Sequence, residues 1–213
     1  MKPFITNVNY HFILKQAMNA FYGAQNTNDE GVKNALRFSC IDKATAIFDA
    51  LDSEQEQLIG EIFHIHSEED LEKYDATLQD YLLPFPTIDD TVVKKLFPKA
   101  KKLKAPTISP EEMARLVFLG WNDTGAQKKF IIAPYKEQLT GIQGNFTPIA
   151  KKGICAFCHE NGRVGLFKAD IKTKGNTDQY RAVGQYICAD SIACSTQMKD
   201  RTKLDEFIGV LKS

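Results

Sequence analysis

The chain has 213 residues, 43% hydrophobic and 25% charged, with 27 Lys+Arg against 27 Asp+Glu. That is enough apolar content for one large or two small domains. No run approaches the ~20 apolar residues of a membrane span, and residues 1–12 lack the apolar core of a signal peptide, so a cytoplasmic protein is expected.

The zero net charge hides an asymmetry. Residues 1–90 carry 6 Lys+Arg and 16 Asp+Glu (−10), whereas residues 91–213 carry 21 and 11 (+10). An acidic half reads as solvated helical surface, and a basic half as one that meets an acidic protein or RNA.

Residues 7–83 read as four helices. Tyr10, Ile13, Leu14, Ala17 and Phe21 fall at helical offsets, and Gly23 with the polar residues 25–28 ends that segment. Val32, Leu36, Cys40, Ala44, Ile47 and Leu51 mark a second helix. Ser53 with Glu56, then Ser67 with Asp70, read as capping boxes that open a third and a fourth. Short polar joints force neighbouring helices side by side, so an antiparallel helical bundle is expected. Pro84-Phe85-Pro86 stops the last helix, because proline lacks the amide donor and restricts the residue before it. The boundary is placed there, between a helical domain over residues 1–84 and a mixed α/β domain over residues 85–213.

Residues 89–96 read as one more helix. Lys94, Lys95, Lys99, Lys101, Lys102 and Lys104 alternate with Leu96, Phe97, Ala100 and Leu103, the pattern of a half-buried segment with its charged side outward. From Leu116 the period shortens: Leu116-Val-Phe-Leu, Lys129-Phe-Ile-Ile and Leu139-Thr-Gly-Ile are β-rich and separated by turn residues. These read as strands, with Gly120-Trp121-Asn122-Asp123 ending the first and Trp121 a core residue there. Residues 164–169 and 180–188 should pair as a hairpin across the polar loop 172–178. Thr202 with Asp205 opens a last helix, with Leu204, Phe207, Ile208 and Leu211 on one stripe.

Four of the five cysteines lie in this second part, as Cys155-Ala-Phe-Cys158 followed by Cys188 and Cys194. Two thiolates across a two-residue gap on a glycine-bearing turn converge on one point, and a second pair completes a tetrahedron. That is a closed structural zinc site for one ion. Disulfides or inert buried thiols are the alternative, and clustered CxxC spacing without secretory features favours metal. Knuckle, hairpin and a helix carrying the last ligand make a treble-clef arrangement, so the chain reads as a two-domain α+β protein. His159 follows Cys158 directly, but four cysteines already fill the tetrahedron. His64 and His66, two residues apart on a helix, point away from each other. Cys40, among apolar helical residues, reads as an inert thiol.

No phosphate loop, nucleophile elbow, HExxH or dinucleotide fingerprint is present, so a non-enzymatic protein is expected. The segments Phe118-Leu-Gly-Trp-Asn122, Lys128-Lys-Phe-Ile-Ile132, residues 141–144, Lys152-Gly-Ile-Cys-Ala-Phe-Cys158, Leu166-Phe167 and Tyr186-Ile-Cys-Ala-Asp-Ser-Ile-Ala-Cys194 together resemble the FusB family. Its members bind elongation factor G, and those of the resistance type free the factor from ribosomes stalled by fusidic acid. The resemblance covers nearly all of residues 85–213, and residues 1–84 in length and helical pattern. It implies that Cys155, Cys158, Cys188 and Cys194 are the zinc ligands, and that elongation factor G is bound through the zinc domain near the ribosome. It further implies that Tyr186 and Phe207 belong to the partner-binding face. Ile154 and Val183 belong to it as departures, standing where the family has an aromatic and a lysine. A monomer is expected. A zinc-domain RNA binder is the second reading, since basic residues interleaved with Phe and Tyr serve RNA equally well.

Overall fold

Thr6 starts the first helix, its hydroxyl accepting from the amide of Asn9. In the computed structural model, which describes residues 1–171 and 181–212, α1 then runs Asn7–Ala24 with Tyr10, Ile13, Ala17, Ala20 and Phe21 along its buried stripe. The chain forms two compact units, Met1–Leu83 and Pro84–Ser213.

In the first unit α2 spans Glu30–Thr45, capped by Asp29. The expected continuation to Leu51 is corrected: the helix stops at Thr45, and Ile47, Phe48 and Leu51 reach the core from the turn that follows. Hydrophobic spacing alone does not separate a last helical turn from a tight turn that delivers the same side chains. α3, Ser53–Gly60, opens one residue earlier than expected, on a capping box of Asp52 with Gln55; aspartate caps as well as serine. A 3-10 turn, Glu61–His64, follows, and α4, Glu68–Gln79, opens on the expected Ser67–Asp70 box. His64 therefore ends the 3-10 turn and His66 lies beyond it, 3.0 Å from an Arg37 guanidinium nitrogen through Nδ1. The core gathers Ile5, Tyr10, Ile13, Ile59, Ile62, Tyr74 and Leu78. Ile5 also bridges Leu82, with the Leu83 amide donating to the Ile5 carbonyl at 2.8 Å.

In the second unit α5 is Asp90–Leu96, capped by Asp89, and α6 is Pro110–Ala114, opened by Ser109 and Glu112. Sequence reading missed α6. Five antiparallel strands follow in the order β1-β2-β3-β4-β5: Leu119–Asp123, Lys128–Tyr135, Gln138–Ile154, Asn161–Ile171 and Arg181–Cys188. Two helices close the chain, α7 (Ser191–Thr196) and α8 (Thr202–Lys212). Among the described residues no helix is long and apolar enough to cross a membrane.

Two strand readings are corrected. Leu116, Val117 and Phe118 precede β1 rather than form it, because the amides of Val117 and Phe118 donate to the Ser195 hydroxyl instead of to a strand. Trp121 therefore sits mid-strand, half-buried, stacked on Phe130 at 5.6 Å and edge-on to Phe97 at 6.1 Å. β3 runs on to Ile154, far past the legible Leu139-Thr-Gly-Ile. Residues 147–152 are all exposed, so no alternation marks them, and the register shifts between Pro148 and Lys152, where proline cannot donate to a ladder. β4 and β5 pair as expected, with Leu166 opposite Tyr186 and Ala169 opposite Val183; the polar loop 172–178 and Tyr180 lie outside the described residues.

Two glycines separate tight packing from free space. A Cβ on Gly144 would stand 2.2 Å from the Lys168 carbonyl oxygen, whereas one on Gly60, whose φ of −61° suits any residue, meets nothing within 4 Å. Gly144→Ala is expected to destabilise the second unit by about 2 kcal/mol or more through forced backbone movement. Gly60→Ala should stabilise by about 0.4–1 kcal/mol by restricting the unfolded chain. Urea unfolding of both variants checks the opposite signs.

Candidate metal centre

Glycine at 153 and a left-handed residue at 159 bracket the first cysteine pair. The turn after β3 carries Cys155 to Cys158, closed by the Cys155 amide donating to the Glu160 carbonyl and the His159 amide donating to the Cys155 carbonyl, both at 3.0 Å. His159 closes it with φ of 60° and is exposed, outside the sulfur cluster. The Cys155 sulfur accepts from the amides of Phe157 at 3.4 Å and Cys188 at 3.3 Å, the charge-stabilising contacts a thiolate needs.

Cys188 ends β5 and Cys194 lies in α7, whose start is capped by Asp190 accepting from Ala193. All four sulfurs lie within 4.8 Å of one another, with Cys155···Cys194 and Cys158···Cys188 both at 3.6 Å. Four thiolates at ~2.3 Å from zinc define a tetrahedron with edges of about 3.8 Å. The cage fits: the four cysteines are positioned to bind one metal ion, and an all-sulfur, four-fold donor set is that of a closed structural zinc site. Zinc held there supplies a crosslink between the knuckle and α7.

Without metal the four thiols cannot all ionise. The Cys155 thiol is held well below the ordinary range because Cys158, Cys188 and Cys194 donate to it. The Cys194 thiol is pushed well above it, first because its proton is held in the bond to Cys155 and further by burial. Loading a metal therefore releases the protons still held by the cluster.

The second half of the cage is docked by residues whose roles the sequence did not disclose. The Ser195 hydroxyl, fully buried, accepts from the amides of Val117 and Phe118 at 2.8 and 3.0 Å, fixing α7 to the approach of β1. A Cβ on Gly120 would stand 2.8 Å from the Ser191 side chain, so glycine lets α7 lie against β1. The Ala189 carbonyl accepts from the Asn122 amide group at 3.0 Å and from the Lys129 ammonium at 3.1 Å. Lys129 joins these contacts: its side chain is fully buried, donates to the Ser191 hydroxyl at 2.6 Å and sits 4.6 Å over the Phe146 ring. Burial draws its pKa down to about 8, a fall that ionised sulfurs of the neighbouring cage oppose. A lysine heading an apolar strand was the available signal.

The residues implied by resemblance as a partner face separate in the structure. Tyr186 is half exposed, and Ile154, at 68%, is the most exposed large hydrophobic among the described residues. The Ala156 amide donates to the Tyr186 carbonyl at 2.8 Å, so the knuckle and β5 meet between them. Val183, opposite Ala169, lies on the other face of β5 from Tyr186 and is half-buried. Phe207 does not stand on the surface: it is 4% exposed, packed on Phe157 at 5.5 Å and Phe167 at 5.8 Å, because α8 turns its apolar stripe onto the knuckle and sheet. Cys40 is buried in α2, where burial pushes its thiol up.

Residues 88–208 match the family model described as the FBP C-terminal treble-clef zinc-finger, and residues 4–86 the one described as elongation factor G-binding protein, N-terminal. The chain belongs to this family, the FusB type. The structure of the fusidic acid resistance protein FusC matches with a TM-score of 0.78 and 25% identity, over 97% of this chain and 96% of that one. No curated protein matches. The family is one of binding proteins rather than a known class of enzyme.

The purified protein is expected to carry one zinc per chain, released as pH falls and the cysteines are protonated; metal analysis and titration with a chromogenic chelator check both. Lys129→Met removes the buried positive charge beside the thiolates and should weaken zinc retention roughly tenfold or more. Competition against the same chelator reads this directly.

Proposed function

We propose that the protein binds elongation factor G through its zinc domain, residues 85–213, and promotes the factor's release from the ribosome, thereby conferring fusidic acid resistance. The family match over both halves supports the partner, and the likeness to FusC supports the resistance. The observation that carries the reading to a surface is the exposed pair Ile154 and Tyr186 beside the sulfur cage. Large apolar side chains held by a stiff scaffold lose little freedom on binding, and they supply most of an interface's energy. On this reading the protein acts as a cytoplasmic monomer beside the ribosome, and its zinc, with four sulfurs around it, has no open position for catalysis.

The effect then comes from binding alone. A ligand shifts its partner between ribosome-bound and free states only by its differential affinity for them, about 1.4 kcal/mol for each tenfold. The release rate of labelled elongation factor G from ribosomes held by fusidic acid should rise when this protein is in excess. An unchanged rate despite demonstrated binding overturns the release step.

Tyr186 and Phe207 give opposite signatures. Tyr186→Ala should weaken capture of elongation factor G by about 2 kcal/mol while zinc content and melting stay as in the parent. Phe207→Ala opens a cavity under the knuckle and should destabilise by about 3–5 kcal/mol, so its loss of binding follows its loss of fold. Isothermal titration alongside thermal unfolding separates the two.

A further inference from the structure

We infer that the lysine segment of residues 94–104 is a docking strip for the phosphate backbone of a folded RNA, separate from the Ile154–Tyr186 surface. The inference goes beyond the factor-binding reading and does not rest on it.

Lys94, Lys95, Lys99, Lys101, Lys102 and Lys104 are all exposed, and none of them makes an ion pair among those formed by the described residues. Residues 91–110 contain no Asp or Glu, so the six lysines have no acid among them, and the flanking Asp89 and Asp90 point their carboxylates at the Val92 and Ala105 amides rather than at a lysine. The strip therefore presents uncompensated positive charge.

It is also firmly mounted. Val93 and Phe97 are buried, and Leu96, Ala100 and Leu103 pack onto the core of Phe130, Ile132 and Leu116. A Cβ on Gly141 would stand 2.8 Å from the Phe97 ring, so the sheet has cleared a side chain to let this segment lie close. Successive turns hold the path, with Phe97 donating to Val93, Ala100 to Phe97 and Leu103 to Ala100, and the Ala105 amide tied to Asp90 at 2.9 Å. With Leu96, Phe97, Ala100 and Leu103 all turned inward, the lysines between them face out.

The chemistry selects the partner. A protein interface has an apolar core in which lysine is depleted, and carboxylates are best matched by the arginine fork. This strip has six lysines, no arginine and no exposed large hydrophobic residue. It offers no aromatic face on which a base stacks. What it fits is a row of phosphates, read by charge and position without base sequence.

The test uses the zinc-loaded full chain and a fluorescein-labelled RNA stem-loop, followed by anisotropy across a KCl series. The triple substitution Lys101→Gln, Lys102→Gln, Lys104→Gln should weaken binding at low salt roughly tenfold or more, and make the salt slope shallower by about 0.7–0.9 for each phosphate no longer neutralised. A control triple elsewhere, Lys15→Gln, Lys43→Gln and Lys212→Gln, should keep the parental slope. Capture of elongation factor G by the strip triple should be unchanged, and polyglutamate should compete with the RNA poorly. No RNA binding by the parent, or a parental slope in the strip triple, overturns the inference. Loss of elongation factor G capture with RNA binding intact overturns it too, and assigns the lysines to the protein partner.

Discussion

The closure of four sulfurs from two distant stretches of chain is the constraint on which the second unit depends. The knuckle at Cys155 and Cys158 joins β3 to β4, and Cys188 ends β5, so the meander by itself brings three sulfurs to one end of the sheet. Cys194 does not come with them. It sits in α7, and reaches 3.6 Å from Cys155 only because Ser195, Ser191 and Ala189 are held by Val117, Phe118, Gly120, Asn122 and Lys129. The segment from Phe118 to Asn122 thus has a physical explanation as a clamp for the last ligand. Metal binding and the docking of α7 are therefore coupled, which is how a structural zinc contributes its binding energy to folding.

Charge sets the second condition. Four thiolates around a divalent ion leave two negative charges, with Cys155 and Cys194 almost wholly out of solvent. Buried charge is tolerated when it is paired or hydrogen-bonded. The Cys155 sulfur receives two backbone amides, and Lys129 brings a positive charge from β2 behind the loop that joins Cys188 to α7. The relation is reciprocal: an ammonium in that position would by itself be driven to lose its proton, and the cysteines' negative charge opposes the loss. The cysteine cluster thus helps this buried lysine keep its proton.

Much of this was legible in the sequence, for reasons that differ by element. Helix α1 announced itself through its apolar periodicity, α4 because periodicity and the Ser67–Asp70 cap agree, and the CxxC knuckle because ligand spacing is fixed by metal geometry. The second half of β3 was not, since residues 147–152 are exposed and carry no alternation, so nothing local distinguishes them from a loop. Leu116 to Phe118 looked like a strand because its residues are buried and β-prone, and only the hydroxyl of Ser195, 77 residues away from Phe118, takes its amides out of the sheet. Lys129 was hidden for the opposite reason: a charge next to an apolar run is read as the strand's wet end, and a distant cysteine cluster reverses that.

The aromatic at 207 shows how a resemblance has to pass through geometry before it becomes a mechanism. A ring at 4% exposure offers almost no area to a partner. It does, however, touch both Phe157 within the knuckle and Phe167 on β4, so α8 braces from beneath the turn that directly follows Ile154 and the strand that borders Tyr186. Rigid support of this kind lowers the freedom a surface side chain must give up on association without adding a contact. On the proposed reading, Phe207 and the sulfur cage therefore do the same work from different sides: each fixes the knuckle, and the exposed residues beside it meet the partner already in place.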